Sequence, residues 1–387
     1  MNSGFSNLRV KGFRRLHDLD LPLQPLNVLI GANGVGKTST LEVMRLLAAS
    51  AEGKLQETIS EAGGFGSLLT HDRTEKMQLA LTMPVENGEP LEYELNLQHT
   101  PTGYCLPQER LRQARHEKNA KDATLKFIDS AGDDIRYFSN PGARKFRRPN
   151  WEYKPLETSL AQVPKMYQEP ERFRNVLASS AIYHALDVSP RAPARLPQTM
   201  RPASSPGRNG EDLVSCLYFL RETAQDRFEA VEDALRAAFP SFERMGFPPV
   251  AAGLLSLTWL ERSYSQPFYA HQLSEGTLRF LWLATLLQSP ELPTVTLIDE
   301  PEVSLHPEML RLLVDLFREA ANRTQLIVAT HSDRLVRFLD PSELVVYDLD
   351  ESLGATATRA SNLDLEAWLE EYTLDQLWGS GRLGGRA

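Results

Sequence analysis

"VLIGANGVGKTSTLE", residues 28–42, decides the fold. The stretch Asn27 to Ile30 reads as a buried strand, and Leu41, Met44, Leu47 and Ala48 share one face of the helix that follows. Between them, Gly31 to Thr38 fits G-x-x-x-x-G-K-[ST], a phosphate-binding loop in its required place between strand and helix. Glycines let successive N–H groups curl around phosphates, and the helix start adds partial positive charge. Asn33, Gly34, Gly36, Lys37, Thr38 and Ser39 are the expected phosphate-binding residues. Lys37 would reach the β- and γ-phosphates, and Thr38 would ligate Mg²⁺.

Upstream, "SNLRVKGFRRLHDLDLPLQPLNVLI" alternates apolar and polar residues around Gly12 and two prolines, which predicts short antiparallel strands. Downstream, "EKMQLALTMPV" and "LEYELNLQH" predict a hairpin turning at Asn87-Gly88. The last third alternates helix and strand: "GTLRFLWLATLL", "TVTLID", "HPEMLRLLVDLFREAAN", "TQLIVATH", "ELVVYDLD". That rhythm implies a mostly parallel sheet covered by helices.

Composition is compatible with this. The 387 residues are 42% hydrophobic and 24% charged, enough for a large core. No stretch approaches the roughly 18–20 apolar residues of a membrane helix, and the start has no apolar signal core. Cys105 and Cys216 lack CxxC spacing and read as free thiols, so a cytoplasmic protein is expected. The net charge of −9 is uneven: residues 108–210 hold 19 Lys and Arg against 11 acids, a net of +8. Any nucleic-acid contact is expected in that region alone.

Further motifs carry chemistry. Val295 to Ile298 lead into Asp299-Glu300; an acid at the exposed end of a buried strand can hold Mg²⁺, and the next can take a proton from water. The plainer alternative is that the pair caps the helix after Pro301. His331 ends "LIVAT" and could bond a γ-phosphate, or be structural, with Ser332-Asp333 capping the next helix. His306 before Pro307 reads as a helix start, and no histidine pair has metal-ligand spacing. Ser274, Glu275 and Gly276 open an apolar helix and offer a hydroxyl and free N–H groups to an anion; taken alone, they are an ordinary serine cap.

Together these residues carry a resemblance. "LSEGT" resembles the signature of ABC-type ATPases, and it stands after the phosphate loop and before "TLIDEPEVSLHP" and "IVATHS". Order and spacing resemble the RecF/SMC and OLD-like branch, over residues 7–100 and 170–350. The resemblance implies an α/β ABC-type P-loop ATPase head: a mostly parallel sheet with helices, an N-terminal antiparallel β subdomain and an α-helical or irregular insertion. It implies ATP and Mg²⁺ as cofactors and a homodimer or higher oligomer in which two heads meet head to tail. Ser274, Glu275 and Gly276 of one copy would then seal ATP held by Gly31–Thr38 of another. Glu300 would be the general base, Asp299 and Thr38 would serve Mg²⁺, Lys37 and His331 the phosphates, and Val303–His306 the crossing loop. A Q-loop glutamine is expected between Gly63 and Gln78, and Arg14 and Arg15 are either nucleotide contacts or solvated surface. Glu275 departs from the glycine usual in transporters.

The expected organisation is 1–100, an ATPase lobe with the β subdomain; 101–210, a basic, partly irregular insertion; 211–350, a helical segment with the remaining motifs; and 351–387, an acidic aromatic tail bearing Trp368, Leu369, Tyr372 and Leu377. Within the insertion, "VSPRAPARLPQTMRPASSPGRNG" reads as a mobile loop. "ARKFRRPNWEYK" interleaves Arg144, Lys145, Arg147 and Arg148 with Phe146, Trp151 and Tyr153, a pattern suited to nucleic acid, to protein recognition or to a solvated face. Many OLD-like chains append a nuclease domain, and stand-alone ATPases of this look are often half of bacterial anti-phage modules. The resemblance thus implies a sensor or switch for a separate effector, a nuclease. The alternatives are an ATP-gated DNA-binding factor of repair or recombination, and the ATPase of a transporter. The long insert and the "IDEPEVSLHP" form disfavour the transporter.

Overall fold

The structure, a computed structural model, describes residues 4–70, 73–114, 124–138, 146–150, 152–165, 167–350 and 354–385. Strands β1 (Asn7–Phe13) and β2 (Leu16–Pro22) form the first hairpin, followed by β3 (Leu26–Gly31) and helices α1 (Lys37–Glu52) and α2 (Leu55–Glu61). Then come β4 (Lys76–Val85), β5 (Gly88–Thr100), β6 (Gly103–Ala114), β7 (Thr124–Ser130), β8 (Tyr137–Phe138) and β9 (Phe146–Arg147). Helices α3 (Ser159–Gln162) and α4 (Gln168–Ala178) lead to β10 (Ala181–Tyr183) and β11 (Gln198–Thr199). A second lobe holds α5 (Leu213–Thr223), α6 (Gln225–Ala238), β12 (Phe242–Gly246), β13 (Leu254–Leu255), β14 (Thr258–Glu261), β15 (Phe268–Tyr269) and α7 (Glu275–Gln288). The chain closes with β16 (Val295–Asp299), α8 (Pro307–Ala321), β17 (Gln325–Ala329), α9 (Asp333–Val336), β18 (Leu344–Asp350), β19 (Gly354–Arg359), α10 (Glu366–Leu369) and α11 (Leu374–Gly379).

Two sheets organise these elements. The central one runs β10-β16-β17-β3-β18-β19, parallel except for β19. Every residue of β3 is buried, as a strand with neighbours on both sides and cores on both faces requires. Period-2 alternation divides those cores: Leu29, Leu297, Ile327 and Val345 face one, and Val28, Ile298, Val328 and Val346 face the other. The first core also takes Leu41, Met44 and Leu47 of α1 and the inner residues of the antiparallel sheet, β2-β1-β4-β5-β6-β7-β8-β9. Helix α1 therefore lies between the two sheets. The second core is filled by α5, α6, α7 and α8, with Phe280, Trp282 and Phe317 fully or almost fully enclosed.

Three expectations change. The antiparallel sheet does not stop at residue 100, because β6 and β7 continue it; the charged residues on their outer face, Arg110, Arg112, Lys126 and Asp129, disguised the alternation. The stretch 188–210 is ordered: Gln198 donates to the carbonyls of Pro193 and Gly210 and accepts from the N–H of Val214, bracing it from three sides. The helical segment expected after residue 210 is two helices, α5 and α6, which break at Ala224.

Two buried carboxylates attach the segment before α4 to the rest. Glu157 accepts from the N–H groups of Leu55 and Gln56 at 2.9 and 3.0 Å, at the otherwise unsatisfied start of α2. Glu109 of β6 accepts from Ser159 and Leu160 N–H at the start of α3 and from the Tyr93 hydroxyl. Complete burial pushes the Glu109 carboxyl above its ordinary range, although those donors pull it back. Glu157→Ala, which orphans one buried and one partly buried N–H group, is expected to destabilise the protein by about 2–3 kcal/mol. Denaturant unfolding is the check, and a change within error would remove Glu157 as a structural clasp.

Candidate functional site

Parallel register brings three strand ends to one edge. Asp299 pairs with Ala329, and Ala329 with Leu29, so Gly31, Asp299 and His331 emerge side by side. The loop itself depends on backbone that other residues rarely adopt. Gly31 has φ 146° and a Cβ there would lie 2.5 Å from the Tyr347 carbonyl; Gly36, at φ 118°, would strike Leu16. Gly36 caps α1 without any side-chain bond, leaving the helix's first N–H groups for another acceptor. Asn33, Gly34 and Thr38 are exposed.

Lys37 is buried, and its Nζ donates to the carbonyls of Gly31 (2.6 Å) and Ala32 (2.9 Å) while lying 3.4 Å from His331 Nδ1. Burial lowers its pKa to about 8, against the pull of Asp299, Glu300 and Glu302. Thr38 Oγ1 stands 3.5 Å from Asp299 Oδ1. A hydroxyl beside a carboxylate is a hard-oxygen donor set, which fits Mg²⁺ better than a softer metal. Among the described residues no cluster of three or more His, Cys, Asp or Glu side chains could hold a metal, so a cation here would depend on its ligand's own oxygens.

Glu300 adopts φ 51°, strained for a residue with a Cβ, and its N–H donates to the Ala329 carbonyl. Its half-exposed carboxylate lies 3.8 Å from His331 Nε2. Burial, then Lys37, lowers the His331 pKa, so the imidazole is neutral at pH 7. Two more residues take part. Glu302 Oε1 accepts from Thr330 Oγ1 (2.7 Å) and the His331 N–H (2.9 Å), and its other oxygen is buried without a protein partner. His184, just past β10, places Nδ1 3.5 Å from Asp299 Oδ2. The second acid of "DEPE" was the available signal for Glu302. His184 had none, because only the sheet order sets it beside β16. The one glutamine between Gly63 and Gln78 is Gln78 itself, which bonds Glu94 within the antiparallel sheet, so the expected glutamine is not in the site.

Arg14 pairs with Glu42 of α1, and the Arg15 guanidinium reaches within 3.7 Å of where a Cβ on Gly34 would sit. Gly385 arrives here too: its N–H bonds the Asp348 carboxylate and it lies against Gly31. Ser274 caps α7, accepting from Thr277 N–H at 3.1 Å; Glu275, at the helix start, suits its dipole. Gly276 abuts Ser304, whose carbonyl would be 2.6 Å from a Cβ, and Arg279 bonds the Ser304 hydroxyl. The signature residues thus rest on the Val303–His306 loop and make their hydrogen bonds within α7, whereas Lys37, Thr38, Asp299, Glu300 and His331 converge.

Of the basic insert, Arg144, Lys145 and Trp151 lie outside the described residues. Arg148 pairs with Asp134 at 3.2 Å, Arg147 is exposed on β9, and Tyr153 turns inward onto Glu157 and Ser159.

The family described as "AAA domain, putative AbiEii toxin, Type IV TA system" matches residues 26–337. The chain is 52% identical over 405 aligned residues to an OLD nuclease of Thermus scotoductus, covering 98% of this chain and 67% of that protein. It belongs to the OLD-like ABC/AAA ATPase family. The endonuclease GajA of Bacillus cereus is 31% identical over 137 residues, 35% of this OLD-like chain and 21% of GajA. An SMC head bound to the C-terminal winged-helix domain of ScpA superposes with TM-score 0.57 at 13% identity, covering 95% of this chain and 99% of that one. A second SMC head, bound to a ScpA domain from Pyrococcus furiosus, gives 0.51 at 11% identity, covering 95% and 98%. Both neighbours share the ABC-type P-loop fold. No helix among the described residues is long and apolar enough to cross a membrane.

Lys37 supplies a test without any ligand. Its pKa is lowered from 10.5 to about 8, so the folded chain sheds that proton first and burial costs stability in full below pH 8. Between about pH 8 and 10.5 that cost fades. Lys37→Met should therefore raise the Tm of the ligand-free protein at pH 7, with the advantage shrinking toward pH 10. An advantage constant with pH would mean the ammonium is not desolvated.

Proposed function

We propose that this chain binds and hydrolyses ATP with Mg²⁺, closing head to tail on a second copy. In this reading it acts as the sensor or switch of a separate effector, a nuclease, in anti-phage defence. The observation that carries the reading is the convergence of Lys37, Thr38, Asp299, Glu300 and His331 at one sheet edge. Among the described residues, the second anion-suited helix start, at Ser274, makes its hydrogen bonds within its own helix and packs on Ser304.

Each residue then has a task. Lys37 exchanges the carbonyls of Gly31 and Ala32 for β- and γ-phosphate oxygens, which are better partners for an ammonium. The N–H groups from Asn33 to Ser39 cradle the phosphates, and Thr38 and Asp299 hold Mg²⁺. A cation held there would supply positive charge against the oxygens of the transferred phosphoryl group. Glu300 accepts the proton of the attacking water, its strained backbone aiming the carboxylate out of the sheet edge. Neutral His331 donates to the γ-phosphate while Glu302 grips its N–H. Ser274 and the N–H of Gly276 come to this nucleotide from the facing copy. Kinship with OLD and GajA nucleases supports the link to DNA cleavage, and the effector's separateness is part of the proposal.

Glu300→Gln is expected to keep ATP affinity, lose about 10²–10³-fold in turnover and accumulate a closed dimer by light scattering. Unchanged turnover removes Glu300 as the base. Lys37→Ala and Ser274→Arg chains, each inactive, should regain part of the activity when mixed, one composite site forming per heterodimer. No recovery would argue that each nucleotide is completed within a single chain.

A further inference from the structure

What aims Ser274 lies outside α7. The residues before it form a 3₁₀ turn, Ala270–Gln272, then extended Leu273. One guanidinium takes both their exit carbonyls: Arg195 Nη1 donates to His271 O at 3.1 Å and Leu273 O at 2.9 Å. Its Nε donates to Val188 O at 2.7 Å, in the segment that leaves β10. Arg195 is itself fixed. It ends a second 3₁₀ turn, Pro193–Arg195, whose Ala194 is fully buried and whose Pro193 carbonyl is held by Gln198. That segment starts at His184, against Asp299. A single planar group therefore ties the segment that leaves β10 to the approach to the serine.

We propose that Arg195 is a positioning residue for the signature. It sets the start of α7 so that the Ser274 hydroxyl and the Gly276 N–H meet a nucleotide held by a second copy. The inference rests on the shared-site reading above. Three carbonyls arranged around one fork need N–H groups in fixed directions, which a guanidinium supplies and an ammonium on a flexible stem does not. Removing it leaves Lys37, Thr38 and Asp299 untouched, so nucleotide binding and closure come apart.

The test uses the full chain with mant-ATP for binding, light scattering for ATP-driven self-association and steady-state hydrolysis. Arg195→Gln should bind mant-ATP within about twofold of wild type and lose at least about tenfold in association and hydrolysis. Mixed with Lys37→Ala, it should regain both, because its intact loop is sealed by the partner's intact signature. Damage to the fold would lower mant-ATP affinity and would not be rescued. Should Arg195→Gln fail to fold, Arg195→Lys must give the same split. Wild-type association and hydrolysis by Arg195→Gln, beside loss of both in Ser274→Arg, overturns the role of Arg195 alone. If Ser274→Arg also associates normally, the shared site falls and Arg195's role falls with it.

Discussion

A buried lysine ammonium that donates to two backbone carbonyls beside a histidine ring is the contact from which this molecule is organised. Lys37 gives up water to lie against Gly31 and Ala32, and burial drags its pKa toward 8. Such a charge is tolerable because three carboxylates, Asp299, Glu300 and Glu302, stand near enough to oppose the cost. Those acids are themselves brought in by strand register. β16 and β17 advance in step beside β3, so the residues that end each strand arrive at one edge. Remove the buried strand and the lysine has neither loop nor counter-charges.

The same edge explains where strain collects. Glu300 and Ser304 both take left-handed backbone within a loop that must leave β16, pass His331 and enter α8. Pro307 starts α8 and fixes where that loop ends. Glu302, between them, spends its one satisfied oxygen on Thr330 and the His331 N–H, tying the end of β16 to that of β17. Conformations that would be discarded elsewhere persist because neighbours on two strands over-determine them.

Local rules made the loop, the alternating strands and the acid pair legible. Gly31–Thr38 carries its own geometry, "TVTLID" carries its own burial, and Asn87-Gly88 turns a hairpin at φ 57° as a short polar residue can. What escaped was set by sheet order or by distant partners. His184 lies 115 residues from Asp299 in sequence and meets it only because β10 pairs with β16. Arg195 sat in a proline-rich stretch that reads as loose, since nothing local announces that Gln198 braces it against Gly210 and Val214. Charged outer faces hid β6 and β7, whose inward residues, Tyr104, Leu106 and Leu111, are spaced around a bulge.

The two helix starts suited to an anion differ in a way that bears on the proposed shared site. The N-terminus of α1 has no side-chain cap and is lined by Lys37, so its first N–H groups are left for another acceptor. The N-terminus of α7 belongs to the other core. Its serine is satisfied by Thr277, its glycine is pinned on Ser304, and its approach is gripped by Arg195. Bending α7 toward Lys37 within one chain would break those contacts and shear Phe280 and Trp282 out of a close-packed interior. A rigid second copy presenting the same helix disturbs neither core. On the proposed reading, the subunit interface is the arrangement in which both helix starts reach one phosphate group with each fold left as it is.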